Sequence, residues 1–170
     1  DNTGSSVALG DVEGTPALMV TPGGSSEETK LVVPLLGSDL AAWANYTTLD
    51  LQVYLPAENV DNPNSFFLGM ADVTDVSFTW IAGVFSSSDA QPGWNTISYP
   101  LHDAMRDLNA DHLYNLYFSF YKDEGSKIPL TEPFYLGTAA LGGLIETVSG
   151  NDYDQEVADL LAMNDAEFID

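Results

Sequence analysis

The chain has 170 residues, of which 45% are hydrophobic, so it suits one domain with a single core. It has no cysteine, which excludes disulfide bonds and thiolate metal or redox sites. Four Lys and Arg against 26 Asp and Glu give a net charge of −22, which disfavours nucleic acid and anionic membrane surfaces as partners. Neutral or cationic ligands remain, although solubility in a salty or extracellular setting also explains the acidity.

We predict a secreted or cell-surface protein. No run approaches the roughly 18 apolar residues of a membrane span, and no signal peptide stands at the start. The opening DNTGSS is typical of an exposed terminus and is compatible with a cut from a longer secreted chain.

Alternation of apolar and polar residues dominates the chain from Val7 to Leu144. Turn residues, such as PGG at 22–24 and PG at 92–93, separate the alternating segments. Short strands at this spacing favour a β-sandwich over an α/β fold. In chain order, the predicted strands lie near 7–12, 16–21, 30–36, 47–55, 65–72, 76–85, 94–101, 113–121 and 133–141, with a helical turn in 101–109.

The segment TTLDLQVYLP at 47–56 shows the clearest alternation. Its inward side chains are aliphatic, and they predict a core stripe made of Leu49, Leu51, Val53 and Leu55. Its outward face carries Gln52 and Tyr54, which places an aromatic ring beside a hydrogen-bonding amide.

The segment LYNLYFSFY at 113–121 repeats this arrangement with more aromatic residues. The face opposite its core stripe carries Asn115, Tyr117, Ser119 and Tyr121. A pyranose ring has a face of C–H groups and an equator of hydroxyls, so aromatic rings beside amide and hydroxyl groups suit a sugar. The alternative is that these tyrosines serve only strand propensity or edge packing.

The three tryptophans are further candidates for sugar binding. Trp43 stands just before a predicted strand, and Trp94 follows a Pro-Gly turn. Strict alternation in VSFTWIAGVF points Trp80 inward, whereas a bulge at Ala82-Gly83 would turn it outward.

The last residues have a different pattern. In DYDQEVADLLAMNDAEF the apolar residues approximate helical spacing, and Asp152 with Gln155 fits a capping box. We predict a β-sandwich domain at 1–150 and an acidic helix or linker at 151–170. This helix either packs on the sandwich or leads to a neighbouring module.

The sequence contains no recognisable catalytic motif. Nucleophile elbow, P-loop, zinc-protease and dinucleotide signatures are all missing, and His102 and His112 suit surface or capping roles. We therefore predict that the protein is not an enzyme. A small glycoside hydrolase or lyase stays open, because paired carboxylates suffice for hydrolysis and the chain has 26 acidic residues.

No metal site can be named from the sequence. Asp152, Asp154 and Glu156 begin like an EF-hand loop, but Val157 stands where that loop needs glycine. A structural calcium ion held by carboxylates at strand ends stays open, and no other cofactor is predicted.

The order of the segments adds a resemblance to a known family. WANYTTLDLQVYLP, NSFFLGMADV, VSFTWIAGVF, PGWNTISYPL, LYNLYFSFY and EPFYLGTAAL follow one another over residues 7–144. This order resembles the β-sandwich carbohydrate-binding modules attached to secreted mannanases and β-glucanases. The resemblance implies a non-catalytic jelly roll, built of two antiparallel sheets, that binds a soluble glycan along one sheet.

The resemblance also bears on individual residues. It implies that Trp43 and Trp80 are sugar platforms, whereas the position of Trp94 is often structural in such modules. Many of these modules hold calcium through an aspartate where this chain has Gly137.

The sequence therefore predicts a module that binds a neutral polysaccharide of the β-mannan, β-glucan or xylan type and targets an attached hydrolase. Its predicted ligand-binding residues are Tyr117, Tyr121, Trp80, Trp43, Trp94, Gln52, Asn115 and Tyr54. The alternative is a structural or adhesion module of a secreted multidomain protein.

Overall fold

The protein is a sandwich of two antiparallel β-sheets. A computed structural model describes residues 4–23, 29–61, 64–74, 79–101, 105, 107–123 and 128–145. A short helix α1 (Gly37–Leu40) and two 3-10 turns, Ala41–Asn45 and Ala57–Asn59, occupy connections in this part of the chain. Its strands are β1 (Ser6–Val12), β2 (Thr15–Thr21), β3 (Thr29–Leu36), β4 (Tyr46–Leu55), β5 (Asn64–Asp72), β6 (Thr79–Ser88), β7 (Gly93–Pro100), β8 (Leu113–Asp123), β9 (Ile128–Pro129) and β10 (Phe134–Leu144).

The connectivity of the strands is that of a jelly roll. Sheet 1 has the order β1-β2-β10-β4-β7, and sheet 2 has the order β3-β8-β5-β6 with β9 beside the end of β8. The chain changes sheet at each connection from β2 to β5, and again from β6 to β8, which interleaves two Greek keys. The predicted all-β jelly-roll sandwich is confirmed.

The core lies between the sheets and comes from alternate residues of the central strands. The stripe predicted in β4 is buried throughout, and β8 faces it across the core. Aromatic rings fill the space edge-on, with ring centres of Tyr99 and Phe118 5.9 Å apart. The buried side chains of the two strands are Leu49, Leu51, Val53, Leu55, Tyr114, Leu116, Phe118 and Phe120.

Some predictions concern parts of the chain outside the described residues. These are the helix at 151–170, the domain boundary at 150, the EF-hand-like start at 152–156 and His102, and the turn at 101–109 lies partly outside. Within the described ranges, no helix has the length and apolar character needed to cross a membrane.

A buried asparagine joins the connection after β4 to the connection before β10. The Asn59 side chain is fully buried; its Oδ1 accepts hydrogen bonds from the backbone N–H groups of Thr131 and Glu132, both at 3.0 Å. Its Nδ2 donates to the Glu132 carbonyl at 2.7 Å. The buried Asn64 in turn donates to the Asn59 carbonyl at 3.0 Å. One buried amide therefore anchors the exposed loop at Thr131 and Glu132 to the connection after β4.

We predict that Asn59→Ala strongly destabilises the fold. The substitution removes the three hydrogen bonds that join the buried Asn59 side chain to the loop, which costs about 2–4 kcal/mol of unfolding free energy. Chemical denaturation of the full chain measures this loss. Asn109→Ala is the matched control, because it removes one exposed hydrogen bond, to the Asp111 N–H. Equal stability of the two variants would contradict the role of Asn59.

A histidine and an aspartate connect β5 to the start of β8. Nδ1 of His112 lies 2.6 Å from Oδ2 of Asp72, and the N–H of Thr74 donates to Oδ1 of the same carboxylate at 2.9 Å. The hydrogen bond from His112, followed by that from Thr74, lowers the pKa of Asp72 below its ordinary value of 3.8. The carboxylate therefore favours the folded state only when it is ionised.

We predict that Asp72→Asn lowers the thermal midpoint at neutral pH. Because the pKa of Asp72 is lowered on folding, its contribution is complete above pH 3.8 and is lost as the pH falls through the lowered folded value. The difference in midpoint between the two proteins should therefore vanish at strongly acidic pH. Asp111→Asn, on the adjacent turn, is the control. A difference that persists undiminished at pH 2 would refute this account.

Candidate functional site

The residues predicted to bind ligand do not lie on one surface. The outward face of sheet 2 carries three of them from β8, namely Asn115, Tyr117 and Tyr121. The outward face of sheet 1 carries Gln52, Tyr54 and Trp94, from β4 and β7. Gln52 and Asn115 are both predicted to contact a glycan that lies along one sheet. They cannot contact it together, because their strands belong to different sheets whose outward faces point in opposite directions.

On sheet 2, two glycines lie beside Tyr117, and we call this feature the glycine trough. The strand register pairs Tyr117 of β8 with Gly69 of β5, and Gly69 with Gly83 of β6. Because glycine has no side chain, no side chain stands between the half-buried tyrosine ring and β6 in this row; Gly69 itself is buried, whereas Gly83 is exposed. The trough runs across the strands and has an aromatic ring at one end.

The trough is recessed below its surroundings. Ala71 and Ser119, outward-facing residues in the rows on either side, are both 0% exposed, and Ser65 is also buried. An outward-facing side chain of a sheet is buried only where neighbouring side chains extend further from the sheet and shield it from solvent. The hydroxyl oxygens of Ser65 and Ser119 have no hydrogen-bond partner among the described residues. Buried hydroxyls without partners are uncommon in native proteins.

Polar groups surround Tyr117 itself. Nδ2 of Asn115 donates to the Tyr117 hydroxyl at 3.2 Å. Nζ of Lys30, on the neighbouring strand β3, lies 5.8 Å from the centre of the tyrosine ring. This face thus brings an aromatic ring, an amide and an ammonium together beside the trough.

Tyr121 does not provide a second open ring. It lies on the predicted outward face of β8 but is only 4% exposed. Its backbone pairs with Ser65 of β5 on one side and with Pro129 of β9 on the other, so a strand flanks Tyr121 on each side. The prediction that Tyr121 is an open sugar platform is wrong, because alternation sets the face of a residue and not its exposure.

A bulge lies in β6 next to Trp80, close to the predicted position. Met70 pairs with Ala82 and Ala71 with Trp80, so Ile81 is the extra residue. The backbone of Trp80 is thereby aligned with Ala71, in the row of Asn115. The side chain of Trp80 lies outside the described residues, so its role stays a prediction.

The outward face of sheet 1 carries a different feature, which we call the aromatic row and which consists of Tyr135, Tyr54 and Trp94. These residues are cross-strand neighbours on β10, β4 and β7. Tyr54 stands edge-on to both of its neighbours, with ring centres 5.6 Å from Trp94 and 6.0 Å from Tyr135. Trp94 is the most open ring, at 36% exposure. Tyr135 was not singled out by the sequence, although its alternation with Phe134 and Leu136 marks it as outward.

Hydrogen-bonding side chains lie in the next row of sheet 1. Nε2 of Gln52 donates to Oγ1 of Thr96 at 2.8 Å across the pair β4–β7. Asp50, the following outward residue of β4, has one carboxylate oxygen buried without a partner among the described residues. These groups complete a mixed aromatic and polar surface.

Trp43 lies on neither face. It belongs to the 3-10 turn before β4 and packs against the core. There it lines a cavity of about 640 Å³ between the two sheets, whose other walls include Leu31, Val33, Leu49 and Leu141. The prediction that Trp43 lies alongside Tyr117 and Tyr121 is wrong, because the turn directs it between the sheets. The lining is almost entirely apolar, so this cavity lacks the polar groups that orient a sugar.

Metal-binding groups are not apparent in the part of the chain that the structure describes. No group of three or more His, Asp or Glu side chains there could hold an ion. A structural calcium ion stays a prediction.

Comparison with known proteins finds similarity at the level of structure. No protein-family model matches the chain, and no curated protein matches it. Similar solved structures include the module CtCBM11, with 15% identity, a TM-score of 0.49 and coverage of 84% of each chain. The C-terminal family 22 carbohydrate-binding module of Clostridium thermocellum Xyn10B has 15% identity, a TM-score of 0.48 and coverage of 85% of this chain and 84% of that one.

A third example is CBM27-1 of Caldicellulosiruptor saccharolyticus, solved in complex with mannohexaose. It shows 9% identity, a TM-score of 0.45 and coverage of 81% of this chain and 82% of that one. All three of these solved structures are carbohydrate-binding modules. At these identities the likeness concerns the fold alone.

Proposed function

We propose that this protein is a non-catalytic carbohydrate-binding module and that its main site is the glycine trough of sheet 2. The observation that carries the proposal is the position of Tyr117 beside Gly69 and Gly83 in a recessed face. A sugar ring stacked on the tyrosine would continue into a neighbouring ring above the two glycines, of which Gly83 is exposed. Asn115 then meets sugar hydroxyls, and the buried hydroxyls of Ser65 and Ser119 lie beneath the same region.

The chemistry of the face suits a neutral polysaccharide chain. Stacking on one aromatic ring contributes about 1.5–3 kcal/mol, so a few contacts give modest affinity and permit release. We propose a soluble β-mannan, β-glucan or xylan as ligand, and a secreted hydrolase as the enzyme that the module targets. No pair of carboxylates flanks the trough among the described residues, which supports a role in binding rather than hydrolysis.

A structural or adhesion role is the second candidate. The burial of Tyr121 and Ser119 on an outward face favours it, because packing against a neighbouring segment would also bury these side chains. In that case the trough is part of a contact between protein segments, and no polysaccharide binds there.

We predict that the protein is retarded in native gels that contain at least one of β-mannan, β-glucan and xylan. Tyr117→Ala should weaken this binding roughly ten- to hundredfold, as expected for the loss of one stacked ring. Leu36→Ala is the matched control, because Leu36 is an exposed side chain at the far end of the same face. Unchanged mobility in all three gels favours the structural role, and product release from these polymers would show a hydrolase.

We predict that filling the trough also abolishes binding. Gly83 is exposed in the middle of β6, and valine is compatible with a strand, so Gly83→Val should retain the fold while its methyl groups occupy the floor. Affinity in the same gels should fall at least tenfold, with an unchanged thermal midpoint. Wild-type affinity in this variant would show that the ligand does not cross β6.

A further inference from the structure

The indole of Trp94 lies along the surface of sheet 1 instead of standing away from it. A Cβ atom added at Gly137 would lie 3.0 Å from Cζ3 of Trp94 and 3.1 Å from Cβ of Gln52. Gly137 belongs to β10 and Trp94 to β7, with β4 between them. The indole therefore reaches across β4 to β10, and it can do so only because residue 137 has no side chain.

The outer edge of the indole, at Cζ3 and Cη2, meets Gly137, while the residue as a whole is 36% exposed. Tyr54 stands edge-on beside it, 5.6 Å away between ring centres, and limits how the indole can tilt. The open indole is thus held in place before any ligand arrives, which reduces the entropy lost on binding. A flat, fixed aromatic plane is the surface that the C–H face of a pyranose requires.

The polar groups beside the ring select the class of ligand. Gln52 and Thr96 lie in the next row and present an amide and a hydroxyl to sugar hydroxyls. Asp50 is the one charged residue on the described outward face of sheet 1, so nothing there attracts an anion. A neutral saccharide fits this charge, whereas an anionic polymer is repelled.

We propose that the aromatic row is a second carbohydrate site, independent of the glycine trough. The two sites lie on opposite sides of the sandwich, so one molecule can hold two polysaccharide chains and cross-link them. The cross-linking activity rests on the proposed function of the trough, whereas the second site rests only on the geometry of sheet 1.

The test is titration calorimetry of the full chain with neutral hexasaccharides of the mannan, β-glucan and xylan types. We expect two sites per molecule in the wild type and one in both Trp94→Ala and Tyr117→Ala. Trp94→Tyr keeps a ring and should keep two sites. Gly137→Val keeps the tryptophan but displaces it, and it should weaken the second site at least tenfold while leaving the other unchanged.

The outcomes separate the two proposals. If calorimetry finds a single site, and if Tyr117→Ala removes it while Trp94→Ala leaves it intact, the proposed second site is overturned and the trough is supported. If calorimetry finds a single site that only Trp94→Ala removes, the aromatic row is supported and the trough is overturned. No binding of any hexasaccharide overturns both. Light scattering with long polymer provides an independent readout, because wild-type protein should form large complexes and each single-site variant should not.

Discussion

The structure depends on the burial of alternate side chains between the two sheets. β4 and β8 each lie inside their own sheet, with paired strands on both sides, and their apolar stripes face each other across the core. Since side chains alternate strictly along a strand, this burial also fixes every outward residue. A register slip of one residue would exchange the two sets and place Tyr117 and Tyr54 in the core.

Much of this arrangement could be predicted from the sequence. The stripe in β4 and the inward face of β8 follow from period-two patterning, and the outward position of Tyr117 follows with them. The solvent exposure of these residues could not be predicted, because it depends on residues that are distant in the sequence. Tyr121, for example, lies on the predicted face but is buried by its neighbours in β5 and β9. The separation of Gln52 from Asn115 could not be predicted either, since alternation along one strand does not say which sheet that strand joins.

Glycine shapes both candidate sites, and this is the part that sequence reasoning misses most easily. Gly69 and Gly83 clear a trough beside one aromatic residue, and Gly137 allows another to lie on the sheet. In a sequence, a glycine inside a strand pattern indicates only a bulge or a close approach. What approaches the glycine becomes visible only when the strand register is known. The same holds for Asn59, whose three hydrogen bonds go to residues far along the chain.

The position of the two sites on opposite sheets determines how they can cooperate. The stacked sheets are about 10 Å apart, and the outward side chains add to that separation, so a short oligosaccharide on one face cannot reach the other. Binding at one proposed site would therefore raise the local concentration of polymer at the other in two situations only. Either the polymer is long enough to bend around the module, or two polymer chains lie close together. If both proposed sites bind, we expect the gain in avidity with dense polysaccharide and not with its fragments. Short fragments would then compete poorly for a molecule held by two polysaccharide chains.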